Sequence, residues 1–278
     1  MFPVQCPDQL FLLRRQLRQF LPESLKVCGS ILSILRGNPF QMEVLVDSWP
    51  DFTAVLSRPQ KDVGHQSDTY RNSYVYFVKD PSRTPESLIE AMDWTQPFEV
   101  QGLQNFLLTS LIEAASHRNV RTETAQLLTF HLKEGNPSLF RPRGDQRYRI
   151  SSLSLSQADL LNKTWAYGGN RNSLDYVAMC IQSSPSCCLF DSSGSPISWA
   201  LTDQYGAIRM AYTLPDLRGK GYGKCVISTL ANELQQADFP NYCHVEISNE
   251  PSKALFKSVG FVETACSLLW FHSIPATS

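Results

Sequence analysis

Residues 218–224 read Arg-Gly-Lys-Gly-Tyr-Gly-Lys, with glycine at every second position and basic residues around them. A strand-like run, Ile208-Arg-Met-Ala-Tyr-Thr-Leu, precedes the heptad and stops at Pro215, which has no N–H to give to a ladder. After it, Val226, Ile227, Leu230, Ala231 and Leu234 recur at helical spacing. The chain therefore turns from strand to helix through a segment without side chains at Gly219, Gly221 and Gly223. Main-chain N–H groups there can converge on one concave side, and the helix start adds its dipole. Together they favour an oxygen-rich anion, above all a phosphate. The plain alternative is a surface turn rich in lysine and glycine.

Two common phosphate-binding patterns do not fit. A P-loop follows its lysine with Ser or Thr for magnesium, and Cys225 follows Lys224 here. A dinucleotide fingerprint places its third glycine where Val226 stands.

Downstream lie an alternating run, Tyr242-Cys-His-Val-Glu-Ile, then Asn249, Ala254, Leu255, Phe256 and the pair Gly260-Phe261. This strand, Arg-x-x-Gly-x-Gly loop, helix, strand and Asn-x-x-x-x-Ala-x-Phe-x-x-x-Gly-Phe series resembles the acyl-CoA-binding core of the GNAT acyltransferase superfamily. Gly37-Asn-Pro-Phe, Asp47-Ser-Trp-Pro-Asp-Phe, Trp165-Ala-Tyr-Gly-Gly-Asn, Asp203-Gln and Arg209-Met-Ala-Tyr-Thr-Leu-Pro narrow it, being similar to the glycine N-acyltransferase family. The resemblance implies an α+β, GNAT-type fold with a mixed central sheet. It also implies acyl transfer from acyl-CoA, as co-substrate, to the amine of glycine or another small amino acid, and a mitochondrial location, with the cytoplasm or the endoplasmic reticulum surface as alternatives. Transfer to a protein or peptide amine, and CoA binding without turnover, are the competing readings.

At 278 residues, 42% hydrophobic and 18% charged, the chain can bury a substantial core and form two modest domains. A net charge of −1 gives no general attraction to nucleic acid. None of the eight cysteines shows Cys-x-x-Cys spacing, which suits reduced thiols, and no secretory signal is read. No apolar run approaches the roughly 20 residues of a membrane span. The five histidines lack partners at metal-ligand spacing, and Cys243 and His244 point to opposite faces of their strand, so no metal site is expected. Leu10, Leu13 and Leu17 line one face of a first helix carrying Arg14, Arg15 and Arg18, which suits either an import segment or an ordinary packed helix. A monomer is expected.

The composition shift at residues 134–145, rich in glycine, proline and charge, sets the expected boundary between domains 1–140 and 141–278. The C-terminal part reads as strand 148–153, helices 157–165 and 173–182, and strands 187–190, 197–202 and 207–212 ahead of the glycine loop. The N-terminal part reads as helix 9–20, strands near 26–35, 42–47, 53–56 and 73–78, and helices near 85–92 and 103–117. Its similar order, without a glycine loop, suggests two tandem GNAT-like halves with the N-terminal copy degenerate.

By resemblance, the main chain of Met210, Ala211, Tyr212, Thr213 and Leu214 binds the pantetheine arm, and Arg218, Gly219, Lys220, Gly221, Tyr222, Gly223 and Lys224 take the pyrophosphate. Asn249 and Phe256 complete the cofactor region, Asn249 near the departing thiol. Two departures stand out: Ala207 occupies the family's glutamate position, and Phe256 stands where many members carry a tyrosine general acid. His244 and Glu246 lie two apart on one strand face, His244 as the substitute base and Glu246 as its orienter or the alternate base. An imidazole titrating near ~6.5 suits proton removal better than a carboxylate near ~4.3; a structural histidine beside the sheet is the alternative for His244. Arg209 is the candidate for the acceptor's carboxylate, unless it pairs with Asp203 or Asp216. Trp165 and Tyr167 border the acceptor pocket or pack in the core.

Overall fold

The computed structural model describes residues 1–61, 70–83, 86–132, 139–141 and 148–275. The chain forms two compact units, Met1–Leu128 with Ala265–Ser278, and Thr129–Thr264. Most of the expected boundary segment, residues 134–145, lies outside the described residues.

In chain order the N-terminal half runs β1 (Phe2–Pro3), α1 (Pro7–Leu17), α2 (Leu25–Leu35), β2 (Met42–Val46), β3 (Ala54–Pro59), β4 (Ser73–Val78), α3 (Glu86–Glu90), β5 (Phe98–Gly102), α4 (Leu108–His117) and β6 (Arg121–His131). The C-terminal half runs β7 (Arg149–Ser151), α5 (Ala158–Thr164), α6 (Arg171–Ser183), β8 (Ser186–Phe190), β9 (Pro196–Thr202), β10 (Ile208–Thr213), α7 (Tyr222–Gln236), β11 (Tyr242–Glu246), α8 (Glu250–Val259) and β12 (Val262–Ile274); the end of β6 from Thr129 belongs to the second unit, and β12 from Ala265 onward to the first. The order strand, two helices, three strands, helix, strand, helix, strand therefore occurs twice. Tandem halves are what the element order predicts, and the mixed α/β architecture agrees with the expected fold.

In the first unit, β1 to β4 pair antiparallel in sequence order and β4 pairs parallel with β5. The C-terminal strand then lies antiparallel on β5, with Phe271 opposite Val100. Leu56, Tyr76, Leu88, Phe98, Leu111 and Phe271 share its core, each worth about 1.5–3 kcal/mol of burial. Residues 26–35, expected as a strand, are helix α2. Lys26, Val27, Cys28, Ser30, Ile31 and Leu32 are all buried, so this helix has no exposed polar face to reveal its period.

In the second unit, β7 to β10 form an antiparallel meander and β10 pairs parallel with β11. Helix α7 packs across β8, β9 and β10 through Val226, Ile227, Leu230 and Leu234, all nearly inaccessible to solvent. It starts at Tyr222, four residues before Val226, where the helical spacing begins in the sequence, so the end of the glycine loop is the helix's first turn.

Candidate active site

The site begins with a flaw in the second unit's sheet. In the first unit the parallel pair holds register over Ser73↔Glu99, Tyr74↔Val100 and Val75↔Gln101. Between β10 and β11 it is recorded only at Ile208↔Cys243 among the described residues. Beyond that point β10 bulges: Arg209 lies opposite Leu201 and Tyr212 opposite Trp199, so three steps on β10 match two on β9. Met210 takes φ 52°, a left-handed value uncommon for a residue with a side chain. A bulge of this kind bends its strand and ends pairing. The last residues of β10 thus present main-chain groups to an extended ligand, as an exposed sheet edge does.

The glycine loop is tied to the same strand end. Arg218 Nε donates to Thr213 O at 3.1 Å, and its guanidinium lies 5.3 Å from the centre of the Tyr212 ring. Tyr212 stacks in turn on buried Trp199, with ring centroids 5.4 Å apart. Gly221 caps α7 at φ 84°. The first intrahelical bond runs from Cys225 N–H to Gly221 O, so the amides of residues 222–224 precede the ladder and point out of the helix end. Lys224 Nζ rests 4.4 Å from the centre of the Phe140 ring, while Lys220 is exposed. Burial raises the neighbouring Cys225 thiol and raises Cys243 well above its ordinary range, so neither is a ready thiolate nucleophile.

On the sheet face that carries Arg209, His244 and Glu246, the charged groups gather. Strand alternation puts His244 beside Arg209 across the parallel pair, with Tyr242 and Glu246 on that same face of β11. A 3.1 Å hydrogen bond joins His244 Nδ1 to the hydroxyl of buried Thr129, and the imidazole meets the Tyr242 ring nearly edge-on. Tyr167 Oη donates to Glu246 Oε1 at 2.6 Å. Desolvation, then the bond and charge of Glu246, push the Tyr167 phenol up to about 12, with Arg209 opposing. Arg209 is 3.7 Å from Asp203 and its guanidinium stands 5.6 Å from the Trp165 ring centre.

Trp165 and Tyr167 belong to one tightly built connection between α5 and α6. Asn162 Oδ1 accepts from Gly169 N–H at 3.0 Å and from the Ser173 hydroxyl at 2.7 Å, and Asn170 caps α6 in a reciprocal box with Ser173. A Cβ on Gly168 would stand 2.0 Å from the Asn162 carbonyl oxygen. Gly168→Ala is therefore expected to cost about 1–3 kcal/mol, a melting-temperature drop of roughly 3–10 °C by calorimetry. An unchanged melt would show that the connection yields.

The structure thus brings together Arg209, His244, Glu246, Trp165 and Tyr167, and separately the β10 end with the loop. Asn249 and Phe256 have clear structural duties. Asn249 Oδ1 caps α8 by accepting from Ser252 N–H at 3.1 Å, and the buried Phe256 ring packs edge-on against Phe261. Ala207 is fully buried. The sequence reading missed Thr129, Phe140 and the depth of Asp203, none of which carries a local signal. Among the described residues, no helix is long and apolar enough to cross a membrane, and no group of three metal-ligating side chains assembles.

A sheet opened at its parallel pair beside a helix-capping glycine loop defines a GCN5-related acyltransferase fold. A GCN5-related N-acetyltransferase from Kribbella flavida superposes with TM-score 0.52 at 10% identity, covering 90% of this chain and 96% of its own. A Drosophila protein of known structure superposes with TM-score 0.81 at 16% identity over 99% of both chains. Residues 1–185 match the family described as aralkyl acyl-CoA:amino acid N-acyltransferase, and residues 187–275 match its C-terminal region. The human glycine N-acyltransferase is 34% identical over 99% of both chains. The chain belongs to the aralkyl acyl-CoA:amino acid N-acyltransferase family.

Proposed function

We propose that this protein transfers the acyl group of an acyl-CoA to the amino group of glycine, releasing N-acylglycine and CoA. The opened β10–β11 pair, lying between a bulge and the glycine loop, carries the reading. Its main chain accepts the pantetheine amides as an added strand, and the loop with the first turn of α7 takes the pyrophosphate.

The acceptor's carboxylate goes to Arg209 and its ammonium toward Glu246, charges of the right sign on one face. Loss of a proton from the ammonium to His244 frees the nitrogen lone pair. That pair attacks the thioester carbonyl, a main-chain N–H at the β10 end stabilises the oxyanion, and the C–S bond breaks to leave the CoA thiolate. The attacking nitrogen gives up its remaining extra proton to solvent as the intermediate collapses, and the thiolate takes a proton from the imidazolium or from solvent. Direct transfer, with no acyl-cysteine, suits the raised Cys225 and Cys243 thiols.

Catalysis is assigned to the second unit. The first unit lacks the glycine loop, and its parallel pair stays in register over three residues. Buried Lys26 Nζ donates to Gln101 Oε1 at 2.5 Å, and Gln101 in turn bonds Glu99, so its polar groups serve one another.

Incubation with glycine and benzoyl, short-chain and long-chain acyl-CoA donors, followed by mass spectrometry and thiol titration, tests the assignment. Acylglycine formed in step with free thiol is expected. CoA binding without product from any donor, or acylation of peptide amines in preference to glycine, would overturn it.

A further inference from the structure

We infer that Asp203 is a positioning residue, holding the Arg209 guanidinium against Trp165 so that it receives the acceptor's carboxylate; the assignment rests on the acyltransferase reading above. Asp203 sits in the turn between β9 and β10, and only 1% of its side chain is exposed. Its Oδ1 accepts from Tyr205 N–H and Ala207 N–H, both at 2.9 Å. Its Oδ2 has no hydrogen-bond partner among the described residues and stands 3.7 Å from Arg209 Nη1.

The turn does not need this charge. An asparagine Oδ1 accepts the same two N–H groups, as Asx turns do. Burying a carboxylate is costly unless it is paired, and a buried polar oxygen without a hydrogen bond calls for an explanation. The cation that answers it is Arg209, whose side chain is only 16% exposed. At 3.7 Å the contact is Coulombic rather than a hydrogen bond. It restrains the position of the guanidinium by charge. The Trp165 ring centre stands 5.6 Å from the same guanidinium. Tyr176 Oη donates to the neighbouring Gln204 Oε1 at 2.6 Å, which fixes the turn on α6. Asp203, the turn and Trp165 thus restrain one cation beside the acceptor face. An amine without a carboxylate gains nothing from it.

Asp203→Asn separates charge from shape. The amide oxygen keeps both turn bonds, so the melting temperature is expected to stay within about 3 °C. The KM for glycine is expected to rise about tenfold, while kcat and the KM for acyl-CoA stay within about twofold. Preference for glycine over glycinamide, which lacks the carboxylate, falls by the same factor. The Arg209→Gln/Asp203→Asn double variant is expected to be no worse than Arg209→Gln alone, because the two residues act as one unit. An unchanged glycine KM with normal wild-type turnover overturns the role of Asp203 and leaves the acyltransferase reading intact. A lowered KM overturns it too, since Asp203 would then be competing for Arg209. Wild-type protein that neither acylates glycine nor broadens the NMR signal of ¹³C-glycine in the presence of CoA removes both.

Discussion

His244→Ala is expected to lower kcat by about 10²–10⁴-fold, the range over which general-base catalysis contributes, with little change in the KM for acyl-CoA. Thr129 is fully buried, so its hydroxyl is a fixed partner for the ring at 3.1 Å. When Nδ1–H donates to that oxygen, the basic lone pair lies on Nε2, the tautomer proton removal requires. Edge-on contact with Tyr242 limits rotation about χ2. Glu246 is the rival base. Its Oε1 already receives the Tyr167 phenol, which burial and Glu246 itself keep protonated to about pH 12, so that oxygen is already engaged. Glu246→Gln is thus expected to act chiefly on glycine KM. Full activity of His244→Ala at every pH, with a large kcat loss in Glu246→Gln, would reverse the assignment.

What the sequence made legible follows local physics. The meander β8 to β10 and helices α5 and α6 are bounded by turn residues and show their own periods, so the second unit could be read element by element. Helix α2 could not, because burial on all sides removes the polar face. Strand β5 hides Glu99 and Gln101 in the interior, where Gln101 bonds both Glu99 and Lys26. Its polar positions therefore suggest exposure that does not exist. Strand β12 follows Gly260-Phe261 and ends beside β5, a pairing across more than 160 residues with no local mark. At the site, the loop announced itself through composition. The bulge did not, since Met210 carries positive φ without being glycine or asparagine. Nor did Asp203, whose pairing with Arg209 was readable but whose burial is purely tertiary. Phe256 and Asn249 were placed by resemblance, and the structure gives both packing and capping work.

Gly221→Val is expected to raise the KM for acyl-CoA by about 100-fold or more while leaving a folded protein. Gly221 holds φ 84° at the N-cap of α7, a conformation that costs a residue with a Cβ roughly 1–2 kcal/mol, and more for a β-branched one. A Cβ there would also lie 3.0 Å from the Phe140 ring, which shares the loop with Lys224. Relief requires the loop to shift, turning the first amides of α7 away from the pyrophosphate. Each hydrogen bond to a charged group is worth about 1.5–3 kcal/mol, so losing two suffices for the stated change. The core beneath, with Val226, Ile227, Leu230 and Leu234, is untouched. A modest fall in melting temperature should therefore accompany a large loss of affinity. Equilibrium binding of CoA also counts sites: with the first unit lacking a loop, wild type should bind one CoA per chain and the variant none at the same concentration. Unchanged affinity in the variant would separate the glycine loop from CoA, and a residual tight site would place a second one outside it.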